Sequence, residues 1–414
     1  MRAYWRPALF AAVAAVLLAS SSGRAAAQPA AGAPAISDGV VKIGLILDMT
    51  GPYSSTTGIG SATAARMAVE DFGGKVLGAP IEIVVADHQN SADRAAAIAR
   101  DWFGDQHVDA IMDVSGSSEA LIVQRVADTR HKIVSLSAAG AERLSNEACT
   151  STSIHYAFNT RAIAHTVGAA LVARGDDTWF FITVDYSFGY DLENDTGAVV
   201  EASGGKVLGH ARYPLDAHDF ESYLARAQES QAKVIGLANA GRDLADTIKQ
   251  AAGLHMIPGP QVFAAPALRI TAVHTLGLET AQGLMLGESF YWDSDDATRA
   301  WSKRFFDRVK QMPNDVQAAV YSSTTHYLQA VASAGTDDTD AVMKAMRAAP
   351  IDDFYAHGGR IRADGVMVHD LHLFQVKTPT ESHYPWDYFK LVATIPGEQA
   401  FGSLAQSKCP LVKP

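Results

Sequence analysis

The chain lacks most of the features that announce a particular chemistry. Lysine and arginine number 34 against 45 aspartates and glutamates, and the basic residues form no stripe. An acidic protein of this kind offers no electrostatic footprint to nucleic acid or anionic lipid, and its net negative charge speaks to solubility only. Beyond the first 27 residues there is no apolar run of membrane-spanning length, no low-complexity tract and no long block of one charge. The fourteen histidines contain no HExxH pattern, and no phosphate loop of the GxxxxGK type occurs. Gly58-Ile59-Gly60-Ser61-Ala62-Thr63 has Thr63 where a dinucleotide pattern needs its third glycine, and it stands about ten residues from the preceding strand, so it reads as a helix start. Gly116-Ser117-Ser118 lacks the second glycine of a nucleophile elbow. His369 and His372 bracket a strand start and are explained by surface polarity more simply than by metal. Asp293, Asp295 and Asp296 precede a helix, where acids suit the N-terminus. The expectation is a binding protein without catalytic residues, metal or cofactor.

Cysteine is nearly absent too. In an oxidising compartment the pair Cys149 and Cys409 is more often bridged than free, although two separated thiols stay open because sequence cannot place them within bonding distance. That compartment is suggested by the N-terminus. Arg2 and Arg6 precede the apolar run at residues 8–19 (ALFAAVAAVLLA), and Ala25-Ala26-Ala27 before Gln28 fits a cleavage site. Residues 1–27 therefore read as a secretory signal peptide, and with no cysteine near the cleavage region there is no lipid attachment point and no direct membrane anchor. Cleavage removes Arg2, Arg6 and Arg24 and no acid, so the formal charge of −11 becomes −14. The remaining 387 residues suffice for two domains.

What is present is a repeat. "GGKVLG" occurs at residues 73–78 and again at 204–209, and its surroundings recur as well. In the first copy a strand at 40–47 (VVKIGLIL) leads through a polar loop into a helix at 61–72, closed by Gly73-Gly74. Strands at 81–86, 110–114 and 133–136 then alternate with helices at 92–103 and 119–129. The second copy runs from a strand at 179–184 (WFFITV) to a helix at 192–202, closed by Gly204-Gly205. Strand-like segments at 210–215, 234–237 and 261–264 follow, between helices at 220–229 and 244–252. This alternation predicts an α/β protein of two doubly wound parallel-sheet lobes. After residue 285 the pattern changes: a strand at 285–290, helices at 298–311, 318–335 and 340–348, and strands at 361–362 and 371–376 (LHLFQV). This tail is expected to complete the first lobe and cross once more into the second, giving a three-segment hinge.

In open parallel sheets, ligands bind where loops leave the carboxyl ends of strands and enter helices. That rule selects the loops at 48–58, 115–118 and 137–141 in the first half, and those at 185–189, 239–241 and 265–268 in the second. The first-half set is rich in Ser, Thr, Gly and Ala, a surface suited to a carboxylate at helix N-termini. The second-half set brings Tyr186 and Phe188, able to cover an apolar or aromatic body. Any one of these residues is as well explained by capping or packing; six loops converging on one cleft favour binding.

These stretches, "VKIGLILDMTGPYSSTTGIGSATAARMAVEDF", "DAIMDVSGSSEA", "KIVSLSAAGAERLS" and "WFFITVDYSFGYD", together resemble the periplasmic solute-binding proteins of ABC transporters, in the leucine/isoleucine/valine-binding branch. "AKVIGLANAG", "AQGLMLGESFYWD", "AVYSSTTHYLQAV" and "KCPLVK" resemble a subgroup of it. The resemblance implies the type I periplasmic binding fold, with lobe 1 at residues 38–158 plus 291–370 and lobe 2 at 159–290 plus 371–414. It also implies a periplasmic location, a membrane permease as partner, and a monomer as the default state. The family's carboxylate-binding loops fall on Ser115, Gly116 and Ser117 and on Ala138, Ala139 and Gly140. A first-lobe contact falls near Tyr53–Thr57, and an aromatic contact falls on Phe188 with Tyr186 beside it. Two departures stand out. Amino-acid-binding members hold the ammonium with a second-lobe carboxylate where this chain has Pro266, and a tyrosine of theirs falls on Asn239. An ammonium would lack its anion there, so the resemblance points to a small organic acid, an aromatic carboxylate in particular. The alternatives are a branched-chain amino-acid or amide carrier, a ligand-sensing partner of a membrane receptor and, in a different class, an exported α/β enzyme.

Overall fold

The computed structural model describes residues 35–412, together with Met1 and Ala3. The expected leader at 1–27 lies, apart from those two residues, outside the described part. Among the described residues no helix is long and apolar enough to cross a membrane.

The first sheet contains β1 (Val41–Leu47), β2 (Lys75–Val76), β3 (Ala79–Asp87), β4 (Ala110–Val114), β5 (Ile133–Leu136) and β6 (Ser153–His155), in the order β2-β3-β1-β4-β5-β6. All its pairings are parallel except the short β2–β3 hairpin. The second sheet contains β7 (Thr178–Val184), β8 (Lys206–Tyr213), β9 (Val234–Ala238), β10 (Val262–Ala264) and β11 (Met285–Glu288). A small hairpin of β12 (Arg360–Ile361) and β13 (Met367–Val368) stands apart, and β14 (Leu371–Val376) and β15 (Phe389–Ile395) complete the second sheet in the order β15-β14-β11-β10-β9-β7-β8. β14 and β15 add to it in antiparallel sense, so the parallel core carries an antiparallel edge. Strands β4 and β9 are buried at every position, as expected where helices cover both faces.

The α-helices are α1 (Gly58–Asp71), α2 (Ala92–Gly104), α3 (Ser117–Arg130), α4 (Thr160–Ala173), α5 (Ser187–Ala202), α6 (Glu221–Glu229), α7 (Gly241–Gly253), α8 (Ile270–Leu276), α9 (Leu278–Ala281), α10 (Asp296–Val309), α11 (Asp315–Ala334), α12 (Thr339–Ala348) and α13 (Gly397–Ala400). Their starts are written in the sequence. Asn159 caps α4 by accepting the Ala162 N–H at 2.9 Å, and Asn314 with Gln317 forms a reciprocal cap on α11. Helices α1, α3, α5 and α7 begin up to five residues earlier than the apolar periodicity indicates, because their first turns are Gly- and Ser-rich and bury little apolar surface.

The repeated motif does the same work twice and then diverges. Gly73 N–H donates to Glu70 O and Gly74 N–H to Val69 O; Gly204 N–H donates to Glu201 O and Gly205 N–H to Val200 O. Each pair closes its helix by the same two bonds, with Gly73 and Gly204 at φ of +96° and +90°. In the first copy Lys-Val then folds back as the β2–β3 hairpin. In the second the same residues run straight into β8, with a register shift at Leu208 where β8 pairs β7.

The chain passes from the first sheet to the second between β6 and α4, which packs on α5 and β11. It returns after β11, since α10 and α11 pack on α1, and passes over again from β13 to β14. The last residues make a fourth connection. After β15, Phe401 stacks edge-on to His369, Gly402 O accepts from Arg362 Nη1, and the Lys408 N–H donates to Asn146 Oδ1. Cys409 is bonded to Cys149, Cα atoms 5.7 Å apart, across a sequence separation of 260. Loop entropy makes this bond worth roughly 2–4 kcal/mol. The C149S/C409S double variant is expected to lose about that much unfolding free energy in urea titrations without changing the far-UV spectrum.

Candidate functional site

Each sheet reverses its strand order beside one strand, β1 in the first and β7 in the second, with successive strands going to opposite sides. Ligands of open parallel sheets bind at such switch points. The loops after β1 and β4 face those after β7, β9 and β10 across one cleft. It holds about 480 Å³ of empty space, its open mouth included.

The two rims touch. Tyr53 Oη and Tyr186 Oη lie 2.8 Å apart, Ser118 Oγ and Ser187 Oγ 3.1 Å, and the Arg242 N–H donates to Pro52 O at 2.9 Å. Farther along, Arg143 forks onto Asp191. Two glycines permit this approach. A Cβ on Gly241 would lie 2.5 Å from Pro52 O and 2.7 Å from the Tyr53 ring; one on Gly140 would lie 2.5 Å from Phe158 and 3.0 Å from Phe188.

Of the residues expected from sequence, Tyr53, Ser115, Gly116, Ser117, Ala138, Tyr186 and Phe188 line the cleft together. Ser115 is already engaged: its Oγ accepts the Asp48 N–H at 3.0 Å and donates to Thr57 Oγ1 at 2.9 Å, so it ties the two loops together. Ser117 Oγ accepts the Ala141 N–H at 3.1 Å and keeps its own proton to donate. Ala139, Gly140, Asn239 and Pro266 do not line the cleft. Ala139 O accepts from His155 Nε2 at 2.8 Å, and burial holds that imidazole neutral, its pKa pulled down to about 4. Asn239 is fully buried behind Ala240, with Nδ2 on Thr247, and Pro266 O accepts the Gly287 N–H.

Thr56, Thr57, Ala240, Gly241 and Ala267 also line it, all within the loops selected from sequence; sequence reading missed Phe158, Arg269 and Val316, which complete the lining. Arg269 matters most. It is 4 % exposed, its Nε lies 2.6 Å from Asp315 Oδ1, and its guanidinium sits 4.7 Å above the Phe158 ring. Among the described residues it is the one charged side chain lining the cleft, and no carboxylate lines it. The only forewarning in sequence was its position, one residue past the loop at 265–268 that the switch-point rule had selected. No group of three or more His, Cys, Asp or Glu among the described residues is placed to hold a metal.

The floor on the first-sheet side hangs on Asp113, at the end of β4, whose Oδ1 accepts both the Ser137 and Ala138 N–H groups at 3.0 Å. Burial nevertheless pushes this carboxyl up to about 6. Burial also raises Tyr53 and Tyr186 far above the ordinary phenol range, so the hydroxyl pair stays protonated.

A family model described as "Periplasmic binding protein" matches residues 40–382. A solved periplasmic binding protein from Burkholderia mallei is 50% identical over 91% of this chain and all of its own, with a TM-score of 0.89. A branched chain amino acid ABC transporter periplasmic ligand-binding protein from Burkholderia xenovorans LB400 is 36% identical, covering 90% of this chain and 99% of its own, TM-score 0.80. A solute binding protein of an ABC transporter from R. palustris, in complex with benzoate, shares the fold at 17% identity, covering 86% and 97%, TM-score 0.78. No curated protein matches the sequence.

Two outcomes test the site. A G241V variant is expected to fold but to lose tenfold or more in ligand affinity, on the order of the 1–3 kcal/mol that overpacking costs, read by titration calorimetry. For Asp113, the folded carboxyl titrates near 6 against an ordinary value of 3.8. The folded state therefore binds more protons between those values, and this group's contribution is full below pH ~4 and lost as pH rises through ~6. Urea unfolding of D113N against the parent is expected to show Asn gaining up to about 3 kcal/mol over that window.

Proposed function

Because this chain belongs to the periplasmic binding protein family, we propose that it is the exported solute-capturing component of an ABC importer, whose solute is a small organic acid with an apolar, aromatic body. The bodies that close are residues 38–158 plus 291–370 and 159–290 plus 371–414, hinged at the three passages, joined a fourth time by the Cys149–Cys409 bond, and released to the periplasm by cleavage after residue 27. One observation carries the choice of solute: a buried guanidinium in a cleft otherwise lined by Tyr, Phe, Ala, Val and hydroxyl groups. A cation in such surroundings attracts an anion strongly, while the rings of Phe158, Tyr186 and Phe188 offer a flat apolar slot.

Capture follows from the same parts. The anion docks at Arg269 and the free donors of Ser117 and the first turn of α3. The Tyr186 and Phe188 rims then close onto Tyr53, and water leaves. The closed form is what a membrane permease recognises. The roles of Ser115, Ala139, Gly140, Asn239 and Pro266 in this scheme are to hold the loops in place.

A branched-chain amino acid is the second reading, favoured by the name of the 36% identical relative. Against it, an ammonium entering the cleft meets no carboxylate among the described lining residues, and an unpaired buried charge is costly. A thermal-shift screen of aromatic acids, aliphatic acids and amino acids decides between them. Aromatic carboxylates are expected to stabilise the protein, by about 2.7 kcal/mol at a hundredfold excess over Kd. Stabilisation by leucine, isoleucine or valine alone would overturn the solute class.

A further inference from the structure

Behind Arg269 stand two carboxyl groups. Asp315 is fully buried at the start of α11, where its Oδ1 also accepts the Val316 N–H at 2.9 Å and its Oδ2 lies 3.5 Å from Ser289 Oγ. Glu288 ends β11 at 1 % exposure, and its Oε1 has no hydrogen-bond partner. Among the described residues Glu288 has no ion-pair partner, and Arg269 acts on it through space rather than by contact. The Ile270 N–H of α8 donates to it. His372 stands opposite on β14, its Nδ1 3.1 Å from Thr394 Oγ1. On α4, which packs against β11, Arg161 is directed to Glu142 and Gln406, and burial and Arg161 keep His165 neutral.

Two carboxylates beside one guanidinium in so dry a place cannot both be ionised. Each carboxyl accepts a backbone N–H, but only Asp315 touches the guanidinium, so it carries the charge. Glu288 is the neutral member: burial first, then the Asp315 charge, push its pKa well above the usual carboxylate range, against the pull of Arg269. The trio sums to zero, and Arg269 Nη2 has no hydrogen-bond partner among the described residues.

We propose that Arg269, Asp315 and Glu288 form the cleft's charge filter, which admits one negative charge at Arg269 and rejects both a second carboxylate and an ammonium. A monoanion gains a charge-assisted hydrogen bond from Nη2. A dianion brings a second charge with no cation to meet it, and a zwitterion brings an ammonium with no anion. This rests on the organic-acid reading of the same cleft and sharpens it.

Calorimetric titration with benzoate, benzamide and terephthalate tests the filter. The wild-type chain is expected to prefer benzoate to either of the others by about thirtyfold or more. The R269M/D315N double variant removes both members of the ion pair together, which spares the fold an unpaired charge. It is expected to bind benzoate and benzamide within about threefold of each other. R269K keeps a cation and is expected to keep a preference of about tenfold. D315N/E288Q leaves neither carboxyl to balance the guanidinium, so terephthalate is expected to gain about tenfold relative to benzoate. A benzoate preference that persists in R269M/D315N overturns the proposal, as does an unchanged terephthalate ratio in D315N/E288Q. So does a tenfold gain in benzoate affinity in E288Q, which would mean that Glu288 is ionised. Wild-type protein that binds benzamide as well as benzoate sinks the filter but leaves a solute-binding cleft. Wild-type protein that binds neither benzoate nor terephthalate sinks the organic-acid reading itself.

Discussion

The first turn of an α-helix leaves its N–H groups without intrahelical partners, and in this protein four helices, α1, α3, α5 and α7, begin at one cleft. That is a direct result of strand polarity. A parallel strand ends where the next helix starts, so two parallel sheets that face each other by their carboxyl ends bring all those starts together. One of these donors is met across the gap, where the Arg242 N–H reaches Pro52 O. Others belong to residues that line the enclosed space, Ser117, Phe188 and Gly241 among them. The cleft is therefore positive by construction, before any charged side chain is counted, and Arg269 adds to a field already in place.

The fold was legible because its two halves obey the same local rules. Apolar β-branched runs of four to eight residues, helices closed by Gly-Gly, and Ser- or Gly-rich loops in alternation leave few other architectures. The divergence after the repeated motif was not legible: nothing in Lys-Val-Leu-Gly distinguishes a hairpin from a bulged strand, and the difference is set by what lies beside it in the sheet. Strand β6 and helix α4 were passed over because they hold the first passage between sheets, where packing against both sides replaces a clean period. Strand β15 escaped notice because residues such as Leu391 and Val392 are exposed at a sheet edge, so its apolar positions do not alternate with its fold.

The site was legible to the extent that it follows from loop position. The rule that ligands sit beyond strand ends selected Tyr53, Ser117, Tyr186 and Phe188, which the fold brings to one cleft. It could not say which atoms are free. Ser115 is spent on Asp48 and Thr57, and Ala138 on Asp113, and only coordinates reveal such commitments. Arg269 shows the opposite limit. An arginine beside a leucine and an isoleucine reads as a surface residue, and its burial depends on Asp315, 46 positions away in the chain and brought to it by the fold.

The bond between Cys149 and Cys409 makes the polypeptide a ring from one residue to the other. That ring contains all of the second sheet and every passage between the sheets. A protease that cuts once anywhere inside it opens the circle without releasing a fragment, because the two ends stay covalently attached through sulfur. Survival of a single nick without loss of a fragment is a property that topology alone confers.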